Sequence, residues 1–202
     1  GENGLMLAEV AEELHRPESI VGQSGLRCRL VDAITQNDSG PCIINVHGEA
    51  GIGKTTLVTS IDAHEIGRPI TYLDCRPAYR REPGHAARRL LLRLGASSRG
   101  RTLEVIRQHA QSLIDPVWLP LLNDVLDTNL AFTEWIEGLS PELRARQAGR
   151  VYGRLAASLS GSASVIIVDD FNNADEFSRS VIAALSDAAT DHPLSMIFVT
   201  RD

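Results

Sequence analysis

Residues 48–56 read Gly48-Glu49-Ala50-Gly51-Ile52-Gly53-Lys54-Thr55-Thr56, and this segment carries more information about the architecture than any other. Two glycines, five positions apart and followed by lysine and threonine, match the pattern of a phosphate-binding loop. The glycines permit backbone dihedrals, and a close approach to phosphate, that a Cβ atom would prevent. We therefore predict that residues 48–56 bind the phosphates of a nucleotide.

Lysine usage supports this interpretation. Nineteen of the twenty basic residues are arginines, and Lys54 is the one lysine. A compact ammonium group can reach the β and γ phosphates at the top of such a loop, where the planar guanidinium of arginine is too large. The hydroxyl of Thr55, the next residue, is expected to coordinate magnesium. Lys54 is thus a predicted catalytic residue and Thr55 a predicted metal ligand.

The segments around the loop agree with the motif. An apolar run of strand length, Cys42 to His47, precedes the loop, and a helix-compatible run, Leu57 to Ile61, follows it. A second motif lies downstream, where four β-branched residues are followed by two aspartates in Val165-Ile166-Ile167-Val168-Asp169-Asp170. We expect Asp169 to hold magnesium opposite Thr55 and Asp170 to orient or deprotonate the attacking water.

Apolar spacing predicts alternating strands and helices along the rest of the chain. The predicted helices are Leu5 to His15, Leu26 to Gln36, Ala86 to Leu94, Leu103 to Leu113, Val117 to Leu126, Leu143 to Leu159 and Asp175 to Ala189, and the further strands are Arg68 to Cys75 and Leu194 to Thr200. This order predicts an α/β fold, a P-loop NTPase three-layer sandwich with a mainly parallel sheet. Residues 76–160 are expected to form a helical insertion between the second strand and the Walker B strand. Trp118 and Trp135 are its expected core anchors, with the alternative that either faces a missing domain.

Composition limits the class of protein. A chain of 202 residues, 43% of them hydrophobic, can form one substantial core, so residues 1–202 are expected to be one domain with residues 1–16 as an N-terminal helix or linker. Its net charge of −6 argues against direct nucleic-acid binding. Three scattered cysteines and the lack of a long apolar run favour a cytoplasmic location and no membrane partner.

Arginine is concentrated between Arg76 and Arg107, where nine arginines face only Glu82 and Glu104, a local charge of +7. Such asymmetry can dock an acidic partner or a neighbouring domain. The favoured alternative places Arg88, Arg89 and Arg93 on the solvent face of a helix whose Leu90, Leu91 and Leu94 point inward.

Several motifs together resemble one family. They are Val21-Gly22-Gln23 ahead of a helix, the loop at 48–55, Val168-Asp169-Asp170-Phe171-Asn172-Asn173-Ala174-Asp175, and Phe198-Val199-Thr200-Arg201. In this order they resemble the signal-transduction ATPases with numerous domains, especially the AAA-type modules beside bacterial adenylate cyclases, LuxR-type regulators and serine/threonine kinases. The resemblance covers nearly the whole chain. One departure is Phe171-Asn172-Asn173, where that family usually has Leu-His-Trp.

The resemblance implies ATP or ADP as ligand, with Mg²⁺. It implies that Val21 and Gly22 lie near the adenine and that Arg201 senses the γ-phosphate. Turnover is expected to be slow, because Asp170 stands where related motor ATPases often carry glutamate. The implied partner is an attached or neighbouring output domain, of cyclase, DNA-binding or kinase-like type, and a nucleotide-dependent oligomer is also implied. The fifth strand, helical lid and winged-helix region expected of the family are absent from residues 1–202.

The function expected from these observations is an ATP-binding, slowly ATP-hydrolysing regulatory module of a multidomain signalling or transcription-regulatory protein. Two alternatives remain open. A nucleotide-binding switch without turnover would share every feature except competent Asp170 and Arg201. A small-molecule phosphotransferase would use the same loop, but it needs an acceptor pocket and an arginine-bearing lid after the later strands.

Overall fold

The computed structural model describes residues 24–36, 42–76, 84–96, 102–161, 164–189 and 194–201. The predicted helix at Leu5 to His15 and the predicted adenine contacts Val21 and Gly22 lie outside these ranges. The described residues begin with helix α1 (Ser24–Thr35).

A parallel sheet forms the centre of the fold. Its strands are β1 (Cys42–Gly48), β2 (Ile70–Asp74), β3 (Val165–Asp169) and β4 (Ser195–Arg201). Within the described residues they are ordered β1-β4-β3-β2, and all the pairings are parallel. Every residue of β3 is buried, as the run of β-branched residues predicts for a strand covered on both faces. The predicted α/β fold with a mainly parallel sheet is confirmed.

Helices cover both faces of this sheet. After α1, the described helices are α2 (Lys54–Thr59), α3 (Ala63–Ile66), α4 (His85–Ala96), α5 (Thr102–Leu113), α6 (Asn123–Leu126), α7 (Glu134–Glu137), α8 (Pro141–Ser160) and α9 (Glu176–Ala188). Two 3₁₀ segments, Pro116–Leu122 and Phe171–Asn173, complete the elements.

The sheet separates two apolar clusters. Successive side chains of a strand point to opposite faces, so Val165 and Ile167 of β3 join one cluster while Ile166 and Val168 join the other. Helices α1 and α2 and the α3 segment supply the smaller cluster, which includes Val58 and Tyr72. The insertion helices and α9 supply the larger one. The result is a helix, sheet, helix arrangement in three layers, with the phosphate loop leading into the smaller cluster.

The insertion differs from the prediction in two segments. The single helix predicted at Val117 to Leu126 is a 3₁₀ helix, Pro116–Leu122, followed by the short α6. Pro120 lies inside the 3₁₀ segment and has no N–H to donate to an α-helical hydrogen bond, which favours the tighter, shorter geometry. Helix α7 was not predicted. Ser140 caps the start of α8, because its hydroxyl accepts a hydrogen bond from the amide of Leu143 at 3.3 Å.

The prediction that Trp135 anchors the core of the insertion was wrong. Its side chain is 72% exposed, because α7 is one turn long and buries the adjacent Ile136 instead. Consecutive residues of a helix project about 100° apart, and in this one-turn helix the direction next to the buried Ile136 leaves Trp135 in solvent. Trp118 is partly buried against the larger cluster.

The prediction that Arg88, Arg89 and Arg93 lie on the solvent face of α4 was wrong for Arg89, whereas Arg88 and Arg93 are half-buried. Arg89 is only 8% exposed, and Arg93 donates a hydrogen bond to the carbonyl of Tyr72 at 2.7 Å. Leu90, Leu91 and Leu94 are buried as predicted. Helix α4 packs against β2, α5, α8 and α9, so neighbours surround it on most sides and little of its surface is left for a polar face. Docking of an acidic partner to the arginine-rich stretch stays a prediction.

Within the part of the chain that the structure describes, no helix has the length and apolar character required to span a membrane.

Candidate functional site

The carboxyl ends of the strands bring the two sequence motifs together. In the strand register Gly48 of β1 pairs with Arg201 of β4, and Asp169 of β3 pairs with Asp74 of β2. Ligands of open α/β sheets bind at this edge. A cavity of about 280 Å³ opens there. It is lined by Gly51, Gly53, Lys54, Thr55, Thr56, Asp169, Asp170, Val199 and Arg201.

The loop between β1 and α2 needs its glycines for backbone reasons. Gly51 and Gly53 have φ angles of 81° and 93°, in the left-handed region that residues with a Cβ rarely adopt. Gly53 immediately precedes α2, and its carbonyl accepts the amide of Leu57 at 2.9 Å, which closes the first helical turn. The loop therefore delivers the next two residues, Lys54 and Thr55, to the start of the helix and the mouth of the cavity.

Lys54 folds back over its own loop. Its Nζ donates hydrogen bonds to the carbonyl oxygens of Gly48 and Glu49, both at 2.6 Å. An ammonium group has three donors, and these two carbonyls use two of them. The side chain is half-buried, so its charge is held above the loop at the position where phosphate oxygens would enter.

Thr55 and Asp169 meet although 114 residues separate them in the sequence. The hydroxyl of Thr55 donates to Asp169 Oδ2 at 2.7 Å, and the hydroxyl of Tyr72 donates to the same oxygen. Asp169 Oδ1 accepts the amide of Asp170 at 2.9 Å. A hydroxyl and a carboxylate side by side provide the hard oxygen ligands that Mg²⁺ prefers, and Mg²⁺ sites in proteins commonly use only one or two side chains with phosphates and waters. The residues present therefore fit the ion that the sequence predicts.

Asp170 is held differently from its neighbour. Its backbone has a φ of 53°, which is uncommon for a residue with a side chain and is found preferentially at functional sites. Arg201 binds its carboxylate through two parallel bonds, Nε to Oδ1 and Nη2 to Oδ2, both 2.9 Å long. The Asp170 side chain is 14% exposed and that of Arg201 is 52% exposed, so the pair is accessible from the cavity mouth.

Asn172 fixes the end of β4 beside this pair. Its amide nitrogen donates to the carbonyl of Arg201 at 3.1 Å, and its amide oxygen accepts the backbone N–H of Arg201 at 3.0 Å. Arg179 of α9 in turn donates to the carbonyl of Asn172 at 2.8 Å. The 3₁₀ turn after β3, the last residue of β4 and α9 are thus connected through one residue, Asn172, by its side chain and its backbone carbonyl.

Most of the predicted site residues come together. Lys54, Thr55, Asp169, Asp170 and Arg201 all line the cavity, with Gly51, Gly53 and Thr56 of the loop. Gly48 contributes a carbonyl to Lys54 and does not line the cavity, and Glu49, Ala50 and Ile52 lie on the exposed outside of the loop. Val21 and Gly22 are outside the described residues.

Two residues of the site, Tyr72 and Asn172, were not predicted from the sequence. Tyr72 carries a hydroxyl in the middle of a buried strand, and such a group needs a partner, so its presence in an apolar run was a usable signal. Asn172 had no comparable signal, because a polar residue after a strand is common in any loop.

A family model matches most of the chain. The family model described as "AAA ATPase domain" matches residues 19–199, which include Lys54, Thr55, Asp169 and Asp170 of the site but not Arg201. No curated protein matches the chain.

Proposed function

The chain belongs to the AAA ATPase domain family, and from this membership we propose that it binds ATP and ADP with Mg²⁺ and hydrolyses ATP slowly. The proposal includes a regulatory role, in which nucleotide state controls an attached output domain of a signalling or transcription-regulatory protein. One observation carries it: Lys54, Thr55 and Asp169 converge on a single cavity from distant parts of the chain.

Phosphate binding begins with a change of partner at Lys54. Its ammonium contacts two carbonyls that carry only partial negative charge, at 2.6 Å each. Phosphate oxygens carry formal charge and form stronger, charge-assisted hydrogen bonds with an ammonium. The β and γ phosphates would therefore draw Lys54 from the carbonyls of Gly48 and Glu49, while the loop amides enclose them.

Thr55 and Asp169 would hold the magnesium ion. When bound, Mg²⁺ neutralises charge that builds up on the phosphate oxygens during transfer. For Thr55 this requires its hydroxyl proton to turn away from Asp169 Oδ2, so that both oxygens present lone pairs to the ion. The 2.7 Å separation means that little movement is needed, because the two ligands are already adjacent.

Asp170 is the proposed base or water-orienting group. Each of its oxygens accepts one bond from the Arg201 guanidinium and keeps a second lone pair, and release of either bond would free the carboxylate to turn toward the attacking water. The γ-phosphate offers Arg201 a competing anion within the same cavity. If Arg201 moved from Asp170 to this phosphate, it would release Asp170 to act as the base. The same movement would stabilise the charge on the phosphate in the transition state.

Calorimetric titration with ATP and ADP, with and without Mg²⁺, tests the proposal. We expect binding by the unmodified chain and its loss in Lys54→Ala, since no other lysine is available to replace this one. The matched control is Arg68→Ala, which removes a cation outside the cavity and should leave binding unchanged. Absence of binding by the unmodified chain would refute the proposal.

A second candidate function is a nucleotide-binding switch without turnover. The bidentate Arg201–Asp170 pair favours it, because the pair occupies the carboxylate that hydrolysis would use to orient the attacking water. Phosphate release at saturating ATP separates the two functions. Release that falls to background in Asp170→Asn supports hydrolysis, whereas binding with no release from either protein supports the switch.

A further inference from the structure

Tyr72 lies where it can control the orientation of the proposed metal ligand. It is on β2 and pairs in register with Ile167 of β3, two residues before Asp169. Side chains alternate along a strand, so Ile167 and Asp169 point to the same face. Tyr72 and Ile167 belong to the same apolar cluster, which places the tyrosine on that face too. The tyrosine is long enough to reach the diagonal neighbour on the adjacent strand.

The tyrosine is fixed at both ends. Its side chain is 8% exposed and packs in the smaller apolar cluster, while its backbone carbonyl accepts a hydrogen bond from Arg93 of α4 at 2.7 Å. Its hydroxyl donates to Asp169 Oδ2. A rigid, buried ring thus holds its one polar atom against the carboxylate of the metal-binding residue.

The direction of this hydrogen bond is determined by chemistry. A phenol ordinarily has a pKa of about 10, so Tyr72 keeps its proton at neutral pH and can donate it to the adjacent carboxylate. An ionised carboxylate can only accept hydrogen bonds. Tyr72 is therefore the donor in every state in which Asp169 is ionised, including the state in which the carboxylate binds a cation.

When the Asp169 carboxylate binds a cation, not all of its other hydrogen bonds can remain. Thr55 shares Oδ2 at 2.7 Å, but its hydroxyl must turn to bind the metal itself. The amide of Asp170 holds the opposite oxygen, Oδ1, at 2.9 Å. When Thr55 turns, Tyr72 is the remaining described donor on Oδ2 and resists rotation of the carboxylate.

We propose that Tyr72 is a positioning residue for magnesium binding: its hydroxyl holds the Asp169 carboxylate in the orientation that receives the cation beside Thr55. The inference rests on the proposed function, because it assumes that Asp169 binds Mg²⁺ with a nucleotide. Partners that orient a metal ligand in this way commonly change metal affinity by about ten to a hundredfold when they are removed.

The test is substitution of Tyr72 by phenylalanine in the full chain, which removes only the hydroxyl. Binding of Mn²⁺, a paramagnetic substitute for Mg²⁺, to the ADP complex is followed by electron paramagnetic resonance. We expect Tyr72→Phe to weaken Mn²⁺ binding about tenfold. Affinity for ADP in the presence of a metal chelator should not change, because Tyr72 is not among the residues that line the phosphate cavity.

Tyr152→Phe provides the matched control. Tyr152 is also buried, at 4% exposure, but it packs edge-on against Phe177 on the other side of the sheet. The same chemical change there should leave Mn²⁺ affinity unaltered. In an Asp169→Asn background, Tyr72→Phe should have no further effect on the metal, because the carboxylate that it orients is already gone.

The outcomes distinguish a failure of the Tyr72 proposal from a failure of the proposed function. Equal Mn²⁺ affinity in Tyr72→Phe, Tyr152→Phe and the unmodified chain overturns the role of Tyr72 and leaves the proposed function standing. Failure of the unmodified chain to bind nucleotide and metal overturns both. If Tyr72→Phe does not fold, fluorotyrosine NMR of the otherwise unmodified chain decides the question. The Tyr72 resonance is assigned by substituting the other two tyrosines, and it should shift when Mg²⁺ is added to the ADP complex. A resonance that does not move overturns the positioning role of Tyr72.

Discussion

At the scale of residues, both oxygens of the Asp170 carboxylate bind the guanidinium of Arg201, and this pair joins the proposed base to the proposed γ-phosphate sensor. Arg201 is 52% exposed, and ion pairs of such exposure contribute little to stability because solvent screens them. A pair of this kind can be exchanged for a phosphate at small cost. The proposed exchange therefore requires no change in the fold.

Asp170→Asn should separate nucleotide binding from turnover. An amide cannot form the ion pair or act as the base, so phosphate release should fall by at least about a hundredfold while Arg201 becomes available to the γ-phosphate. ATP affinity should rise, by up to about fivefold, with little change for ADP. Calorimetry with both nucleotides measures the difference. An equal change for ATP and ADP would contradict the exchange, and Arg201→Ala should lower ATP affinity selectively.

Cys75 should resist alkylation in the folded protein. Burial, and next the charge of Asp74, raises the pKa of its thiol to about 12, so almost none of the reactive thiolate is present at pH 8. Cys28 is exposed and should react with iodoacetamide first. Mass spectrometry of the labelled peptides checks this order, and denaturant should make Cys75 reactive. Rapid labelling of native Cys75 at pH 8 would show that its surroundings are open to solvent.

At the scale of elements, the close contact of α8 and α9 keeps the insertion against the sheet. A Cβ atom at Gly153 of α8 would lie 2.5 Å from the Cβ of Ala184 and 2.7 Å from its backbone carbon. Backbone atoms cannot turn aside as a flexible side chain can. At Gly149 the nearest atom is the hydroxyl of Ser180, also at 2.5 Å, and it can rotate away. The packing of α8 against α9 therefore requires glycine more strictly at position 153 than at position 149.

Gly153→Ala should destabilise the fold by about 1–2 kcal/mol, because overpacking between the helices exceeds the gain in helix propensity. Urea unfolding followed by circular dichroism measures the free energy. The control is Gly25→Ala in α1, where a Cβ would meet nothing within 4 Å and the change should be neutral or stabilising by up to about 1 kcal/mol. Equal stability of Gly153→Ala and the unmodified chain would mean that the two helices can move apart.

At the scale of the whole molecule, the phosphate loop and the smaller apolar cluster are continuous. Leu57 and Val58 follow the loop directly and are buried with Leu30 and Ile34 of α1. The site also draws on every strand of the described sheet, through the residues at or near the strands' carboxyl ends. Binding at the loop should therefore stabilise the folded state as a unit.

Nucleotide should raise the thermal unfolding midpoint. At a concentration of Mg-ADP one hundred times its Kd, binding adds about 2.7 kcal/mol to the free energy of unfolding. For a chain of 202 residues this corresponds to a shift of about 5–10 °C. Differential scanning fluorimetry measures the shift, which should disappear in Lys54→Ala. A shift that persists in that variant would place the stabilising ligand at another site.

The phosphate loop, both aspartates and the order of strands and helices follow from the sequence, because local patterns specify them. Glycines at fixed spacing determine the loop, and consecutive β-branched residues determine a strand buried on both faces. Parallel pairing then places the ends of those strands at one edge, which is why Thr55 and Asp169 could be paired in advance. The roles of the predicted residues in binding and turnover stay predictions.

The features that only the tertiary structure determined are those that depend on which side chains the neighbouring elements cover. The sequence of α4 suggested a polar face, but its neighbours bury Arg89 and direct Arg93 to the carbonyl of Tyr72. Trp135 has the composition of a core residue, yet the short α7 turns it to solvent. The Tyr72–Asp169 contact and the Arg201–Asp170 pair join residues 97 and 31 positions apart. Contacts of this kind depend on strand order and register, which local sequence patterns do not encode.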